Sequence, residues 1–129
     1  IPIGFTNEIA ALMQNCDLII SRAGSGAINE IIKTKSPSIL IPYPDAKSNH
    51  QEKNALILSS IGCSIMIEQN KNLAINLKKN LQRIFDMESK NSKNQYKILE
   101  IMKTNFSKFN SRDPKKEIKK IINSYKKYL

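Results

Sequence analysis

Three short, largely apolar runs alternate with two helix-like segments in the first half of the chain. The runs are residues 17–20, 38–41 and 63–67, and they are bounded by glycine, proline and polar residues. Continuous apolar runs of this length are typical of parallel strands, which are covered on both faces. The segments between them, residues 27–33 and 49–60, have the length expected of helices. This alternation predicts an α/β fold with a parallel sheet and right-handed crossovers.

A further helix is predicted before the first run, over residues 8–15. Ile9, Leu12 and Met13 follow the i, i+3, i+4 spacing of a buried helical face. Thr6 is expected to cap the first turn of this helix, because its hydroxyl can accept a hydrogen bond from a free backbone N–H. Residues 2–5 are expected to end another strand.

Local capping signals predict the ends of the two central helices. Pro37 disfavours a helical conformation at the residue before it and so ends the helix over residues 27–33. Ser48 and Gln51 have the spacing of a capping box, which predicts that the next helix begins near residue 49. Gly62 is expected to end that helix.

Beyond Gln69 the pattern predicts helices only. The apolar positions of three amphipathic helices recur at helical spacing. They are Leu73, Leu77, Leu81 and Ile84, then Ile98, Ile101 and Met102, and finally Ile118, Ile121, Ile122, Tyr125 and Leu129. We therefore divide the chain into a βαβαβ core over residues 1–70 and a basic helical part of the same domain over residues 71–129.

Positive charge is concentrated in the second half of the chain. The formal net charge is +10, yet residues 1–70 hold five Lys and Arg against six Asp and Glu, whereas residues 71–129 hold sixteen against five. Such a bias suits an anionic membrane surface or nucleic acid, and it also arises from AT-rich coding. No basic motif interleaved with aromatic residues supports nucleic-acid binding, so we expect no nucleic-acid partner.

Candidate binding residues cluster at the predicted carboxyl edge of the sheet, where ligands bind in open parallel sheets. Gly24 and Gly26 lie between a strand and a helix, an arrangement that leaves backbone N–H groups free for a phosphate. Glu30 follows in that helix, and His50 and Gln51 open the next one. Each feature also has an ordinary interpretation as a tight turn, a solvated carboxylate or a surface side chain. Their combination on one edge indicates a site for a nucleotide-linked sugar.

The same segments resemble the C-terminal domain of family 28 glycosyltransferases. The matching motifs are Ser-Arg-Ala-Gly-Ser-Gly-Ala-Ile-Asn-Glu-Ile at residues 21–31, Pro-Ser-Ile-Leu-Ile-Pro-Tyr-Pro at 37–44 and Asn-His-Gln-Glu-Lys-Asn-Ala at 49–55. The most similar members are the N-acetylglucosaminyltransferases that complete lipid II in bacterial cell-wall synthesis. The resemblance implies a Rossmann-like donor-binding domain of a GT-B enzyme, present here in part and followed by C-terminal helices.

The resemblance also implies a role for seven residues in binding the donor, UDP-N-acetylglucosamine. They are Thr6, whose backbone would read the uracil edge; Ser25, Gly26 and Ala27, near the diphosphate and ribose; Glu30, on the ribose hydroxyls; and His50 and Gln51, on the hydroxyls of the donor sugar. No catalytic residue, metal or cofactor is implied in this chain. The catalytic base and the contacts to the undecaprenyl-linked acceptor are expected in an N-terminal domain.

The resulting interpretation is the donor-binding portion of an inverting hexosyltransferase that converts lipid I to lipid II. Such an enzyme would be cytoplasmic and peripheral on the inner face of the cell membrane. Two alternatives stay open: a stand-alone UDP-N-acetylglucosamine-binding subunit of a two-subunit lipid-linked-oligosaccharide transferase, and an inactive truncated fragment. Because the sequence starts at Ile1, we expect a processed chain or a piece of a longer protein.

Overall fold

A computed structural model describes residues 2–4, 6–45, 49–85 and 97–108. Helices and strands alternate from the start of this part to Met66, and only helices follow. The elements are α1 (Ile9–Gln14), β1 (Ile19–Ser21), α2 (Ser25–Thr34), β2 (Ser38–Leu40), α3 (His50–Ser60), β3 (Ser64–Met66), α4 (Leu73–Phe85), α5 (Lys97–Asn105) and a 3-10 turn (Phe106–Lys108).

The three strands form a parallel sheet in the order β1-β2-β3. Ile39 of β2 lies between Ile20 of β1 and Ile65 of β3, so the strands end level with one another. The predicted α/β fold with a parallel sheet is confirmed. Since each strand is followed by a helix that returns to the opposite edge, both α2 and α3 start at the carboxyl edge of the sheet.

Two hydrophobic clusters cover the two faces of the sheet. Neighbouring residues of a strand point to opposite faces, and β2 accordingly sends Leu40 into one cluster and Ile39 into the other. The Leu40 cluster contains the buried residues of α2 and α3, and the Ile39 cluster contains those of α4 and α5. As the central strand, β2 is buried along its whole length.

Several details differ from the sequence-based predictions. Residues 2–4 are not in a strand, because no neighbouring strand pairs with them among the described residues. The first strand was expected to be buried, yet β1 is an edge strand of the described sheet and Ile20 is 48% exposed. In α5 the buried residues are Leu99 and Met102, so Met102 lies on the buried face as predicted, whereas Ile101 is 51% exposed. The helix predicted around Ile118 lies outside the described residues.

Helices α2 and α3 end in the same hydrogen-bonded turn. After α3, Gly62 N–H bonds the carbonyl of Ser59 at 3.0 Å and Cys63 N–H bonds that of Leu58 at 2.9 Å, which together define a Schellman motif. Gly62 has a φ of 75°, as this motif requires. At the end of α2 the equivalent position is Lys35, a non-glycine residue with a φ of 54°. Left-handed backbone brings a Cβ close to the following carbonyl oxygen, so Lys35 is strained and Gly62 is not.

We expect Lys35→Gly to raise the free energy of unfolding by about 1 kcal/mol, because glycine adopts a positive φ without the Cβ penalty. Chemical denaturation of the purified protein measures this change. Lys35→Ala is the matched control, since it removes the same charge and keeps the Cβ, and it should give no gain. Equal stabilisation by both substitutions would contradict the assignment.

Candidate functional site

Three loop segments meet at the carboxyl edge of the sheet. They are residues 22–24 after β1, residues 41–45 after β2 and residues 67–69 after β3. The first of them leads directly into α2 through Gly24, and α3 begins after Asn49, which has a left-handed φ of 52°. Among the described residues, no side chain caps the first turn of α2 or of α3. The first-turn backbone N–H groups of both helices point towards this edge.

Arg22 joins the three loop segments. Its Nη1 donates hydrogen bonds to the carbonyl oxygens of Ile41 (3.2 Å) and Pro42 (3.4 Å), and also to the side-chain oxygen of Gln69. Its guanidinium carbon lies 5.7 Å from the centre of the Tyr43 ring, within the range of a cation–π contact. One side chain therefore links the ends of all three strands.

Two amide side chains of α3 connect this helix to the same edge. Asn54 Nδ2 donates to the carbonyl of Ala23 at 3.0 Å, which ties α3 to the glycine turn. Gln51 Oε1 accepts a hydrogen bond from the backbone N–H of Tyr43 at 3.0 Å. This contact differs from the predicted capping box, in which Gln51 would bond near the start of its own helix; Ser48, the other member, lies outside the described residues.

The residues predicted near the donor diphosphate lie in the first turn of α2, which begins two residues earlier than expected. Ser25 and Gly26 are exposed and Ala27 is half-buried. A Cβ added at Gly24 or Gly26 would meet no atom within 4 Å, and neither glycine has a positive φ. The fold therefore does not require glycine at these two positions. A requirement for glycine would have to come from a molecule that approaches the backbone from outside.

Glu30 lies in α2, beyond its first turn, with its side chain 27% exposed. Its Oε1 accepts a 2.8 Å hydrogen bond from Nζ of Lys33, whose side chain is 69% exposed. The other carboxylate oxygen makes no hydrogen bond to the described residues. An ordinary surface ion pair thus uses one oxygen of Glu30, and the second is available to a ligand.

Of the remaining predicted residues, His50 is exposed at the first position of α3 and Gln51 is half-buried beside it. Thr6 Oγ1 accepts a 3.0 Å hydrogen bond from the backbone N–H of Glu8. The predicted capping of α1 by Thr6 is nevertheless wrong, because the helix begins at Ile9 with Glu8 as its N-cap and has no side-chain cap bond. Because α1 packs against α2 and leads to the amino end of β1, the topology places Thr6 towards the carboxyl edge. Hydrogen bonds thus connect α3 directly to the segment before α2 and to the loop after β2. Thr6 lies towards the same edge of the sheet but makes none of these contacts.

A cleft of about 260 Å³ opens beside these residues. Its lining combines the loop after β2, the first turn of α3 and the end of β3: Pro42, Tyr43, Pro44, Asn49, Glu52, Met66, Glu68 and Gln69. None of the seven predicted donor contacts lines it, although Asn49 and Glu52 flank His50 and Gln51. A smaller cleft of about 120 Å³ lies at the opposite end of the sheet, near Cys16 and Pro37.

Sequence reasoning assigned no role to Arg22 or Gln69, although both lie at this edge. They are 47 positions apart in the chain, and no local spacing rule connects them. Asn54 belongs to the third motif, at residues 49–55, but received no role. The available signal was weak: an arginine directly after a strand, where an exposed side chain can reach the ends of neighbouring strands.

Within the described residues, no group of three or more His, Cys, Asp and Glu side chains is arranged to hold a metal ion. The helices of the same residues include none that is long and apolar enough to cross a membrane.

A parallel sheet with helices on both faces and two helix starts at its carboxyl edge defines a Rossmann-like α/β domain, the class in which ligands bind at that edge. The chain belongs to the glycosyltransferase family 28 C-terminal domain family, which it matches over residues 1–118.

Individual relatives agree with this family. A UDP-N-acetylglucosamine--N-acetylmuramyl-(pentapeptide) pyrophosphoryl-undecaprenol N-acetylglucosamine transferase of Prochlorococcus marinus strain MIT 9312 is 57% identical over 123 residues, which make up 95% of this chain and 34% of that protein. A protein of the same name from strain MIT 9301 is 55% identical with the same coverage. The chain thus spans about a third of the length of these relatives.

A solved structure shows the same fold. The crystal structure of MurG from Acinetobacter baumannii aligns with a TM-score of 0.68 and 21% identity, covering 95% of this chain and 33% of that one. The predicted Rossmann-like α/β fold is therefore confirmed, and the resemblance found in the three sequence motifs is confirmed as family membership.

We expect Asn54→Asp to lower the free energy of unfolding by about 1–3 kcal/mol. The change removes the N–H that bonds Ala23 and sets a carboxylate against the carbonyl of this buried residue. Chemical denaturation measures the loss. Asn29→Asp is the control, because Asn29 is exposed near the start of α2, where a negative charge is favourable. Unchanged stability of Asn54→Asp would contradict the role of this bond.

Proposed function

We propose that this chain is the donor-binding part of an inverting N-acetylglucosaminyltransferase that converts lipid I to lipid II. The observation that carries the proposal is the 57% identity over 95% of the chain to a relative whose name specifies this transfer. That name states a UDP-N-acetylglucosamine donor and an undecaprenyl-linked acceptor. The reported relatives share it, which favours this function over a two-subunit oligosaccharide transferase.

The start of α2 suits the donor diphosphate. Its first-turn N–H groups lack a side-chain cap, and the positive end of the helix dipole attracts an anion. Open space at Gly24 and Gly26 would let the phosphates approach the backbone closely. Further along α2, the free oxygen of Glu30 would accept a hydrogen bond from a ribose hydroxyl. The diphosphate and then the ribose would thus lie one after the other along α2, in the order in which a nucleoside diphosphate contains them.

In such a transfer the acceptor C4 hydroxyl attacks C1 of the donor sugar, and UDP leaves with growing negative charge. Fixed N–H dipoles stabilise that charge without having to reorganise during the reaction. The α2 start would therefore contribute to catalysis by stabilising the leaving group. We expect the base that removes the hydroxyl proton, and the contacts to the acceptor, in a part of the enzyme outside this chain.

The cleft at this edge measures about 260 Å³, close to the lower end of the range of about 300–1,000 Å³ that is usual for small-molecule pockets. In the proposed two-domain enzyme, the opposite domain would add further walls for a nucleotide sugar.

The proposal includes a position at the inner, cytoplasmic face of the cell membrane, where a lipid-linked acceptor is available. Exposed basic side chains in α4 and α5, among them Lys78, Lys79, Arg83 and Lys103, would favour contact with anionic lipids. This contact would be peripheral.

We expect Glu30→Gln to raise the Kd for UDP about tenfold, because loss of a hydrogen bond to a charged acceptor costs about 1.5 kcal/mol or more. Isothermal titration of UDP into the full-length polypeptide measures this change. Lys33→Gln is the control: it breaks the same ion pair but removes no ligand contact, and it should leave UDP affinity unchanged. Unaltered UDP affinity in Glu30→Gln would exclude the ribose role.

We expect His50→Ala to weaken binding of UDP-N-acetylglucosamine about tenfold and binding of UDP only slightly, because His50 would contact the sugar rather than the nucleotide. Titrating both ligands into one variant separates these effects. Lys53→Ala, another exposed position of α3, should change neither affinity. Equal losses for both ligands would contradict sugar recognition by His50.

A further inference from the structure

The orientation of the Gln51 side chain follows from its contact with Tyr43. A backbone N–H only donates, so the atom that faces it must be the amide oxygen of Gln51. The two N–H groups of the same amide make no hydrogen bond to the described residues. Gln51 therefore has both of its N–H donors available to a molecule at this edge.

The backbone of Tyr43 is itself held by Arg22. The guanidinium bonds the carbonyls of the two residues before Tyr43, Ile41 and Pro42, and lies near the Tyr43 ring. The same Nη1 also donates to the side-chain oxygen of Gln69, after β3. The Tyr43 N–H is thus fixed relative to the sheet by one side chain with contacts on both neighbouring strand ends.

We infer that Arg22 is a positioning residue for recognition of the donor sugar. Arg22 fixes the loop after β2, and the Tyr43 N–H of this loop orients the Gln51 amide. The amide then presents its N–H groups to oxygen atoms of the sugar. The inference rests on the proposed function, because it requires a nucleotide sugar at this edge. It assigns Arg22 to the sugar end of the site and not to the diphosphate.

Lysine cannot replace arginine in this role. All three hydrogen bonds leave one atom, Nη1, and the guanidinium that carries this atom lies over the Tyr43 ring. A lysine ammonium keeps the charge and can donate several hydrogen bonds, but it lacks the flat group that stacks on the ring and holds the donor nitrogen in place. Arg22→Lys therefore removes the geometry while preserving the electrostatic attraction for a diphosphate.

The test is a double-mutant cycle in the full-length polypeptide, with Arg22→Lys, Gln51→Ala and the double variant. Affinities for UDP and UDP-N-acetylglucosamine are measured by titration. We expect Arg22→Lys to raise the Kd for UDP-N-acetylglucosamine about tenfold and that for UDP less than about threefold. In the Gln51→Ala background, Arg22→Lys should cause little further loss, because residues that act through one another are not additive.

Arg83→Lys is the matched control, since it makes the same substitution at an exposed position of α4. It should leave both affinities unchanged. A purely structural role for Arg22 would weaken both ligands equally and would add to the effect of Gln51→Ala; either result overturns the inference. Failure of the wild-type polypeptide to bind UDP-N-acetylglucosamine would instead refute the proposed function, so the two failures are distinguishable.

Discussion

Parallel pairing of β1, β2 and β3 puts the three segments that follow these strands at one edge of the sheet. The strands are only three residues long, so the edge depends on what holds the segments together beyond the strand ladder. That interaction is the set of hydrogen bonds from the Arg22 guanidinium. It connects backbone carbonyls after β2 with a side chain after β3, and it does so from the end of β1.

The centre of the sheet stabilises the fold, whereas its carboxyl edge is accessible to solvent. Ile39 and Leu40 lie at its centre and are fully buried in separate clusters, where apolar contacts supply most of the folding free energy. At the carboxyl edge, Arg22 and His50 are exposed, and the order there comes from polar bonds. Such bonds fix geometry while leaving backbone N–H groups open to solvent. A binding edge needs this combination, because an apolar cover would exclude the ligand.

The proposed donor site has a nucleotide end and a sugar end. The start of α2 and the carboxylate of Glu30 suit the nucleotide, and the start of α3 suits the sugar. Asn54 and Gln51 join these two ends through Ala23 and the Tyr43 backbone. The chain spans about a third of its relatives. In the proposed reaction this chain would supply the leaving-group half of the site, and the attacking half would come from outside it.

The sequence alone determined the order of strands and helices, the parallel sheet and the family. These features depend on local patterns: apolar runs, helical spacing and the three motifs. It did not determine the exposure of Ile20, the contact between Gln51 and Tyr43, or the reach of Arg22 to Gln69. Each of these joins positions that are distant in sequence or depends on which strand lies at an edge. Only the tertiary structure brings such positions within hydrogen-bonding distance, and so only it showed how the candidate site is held.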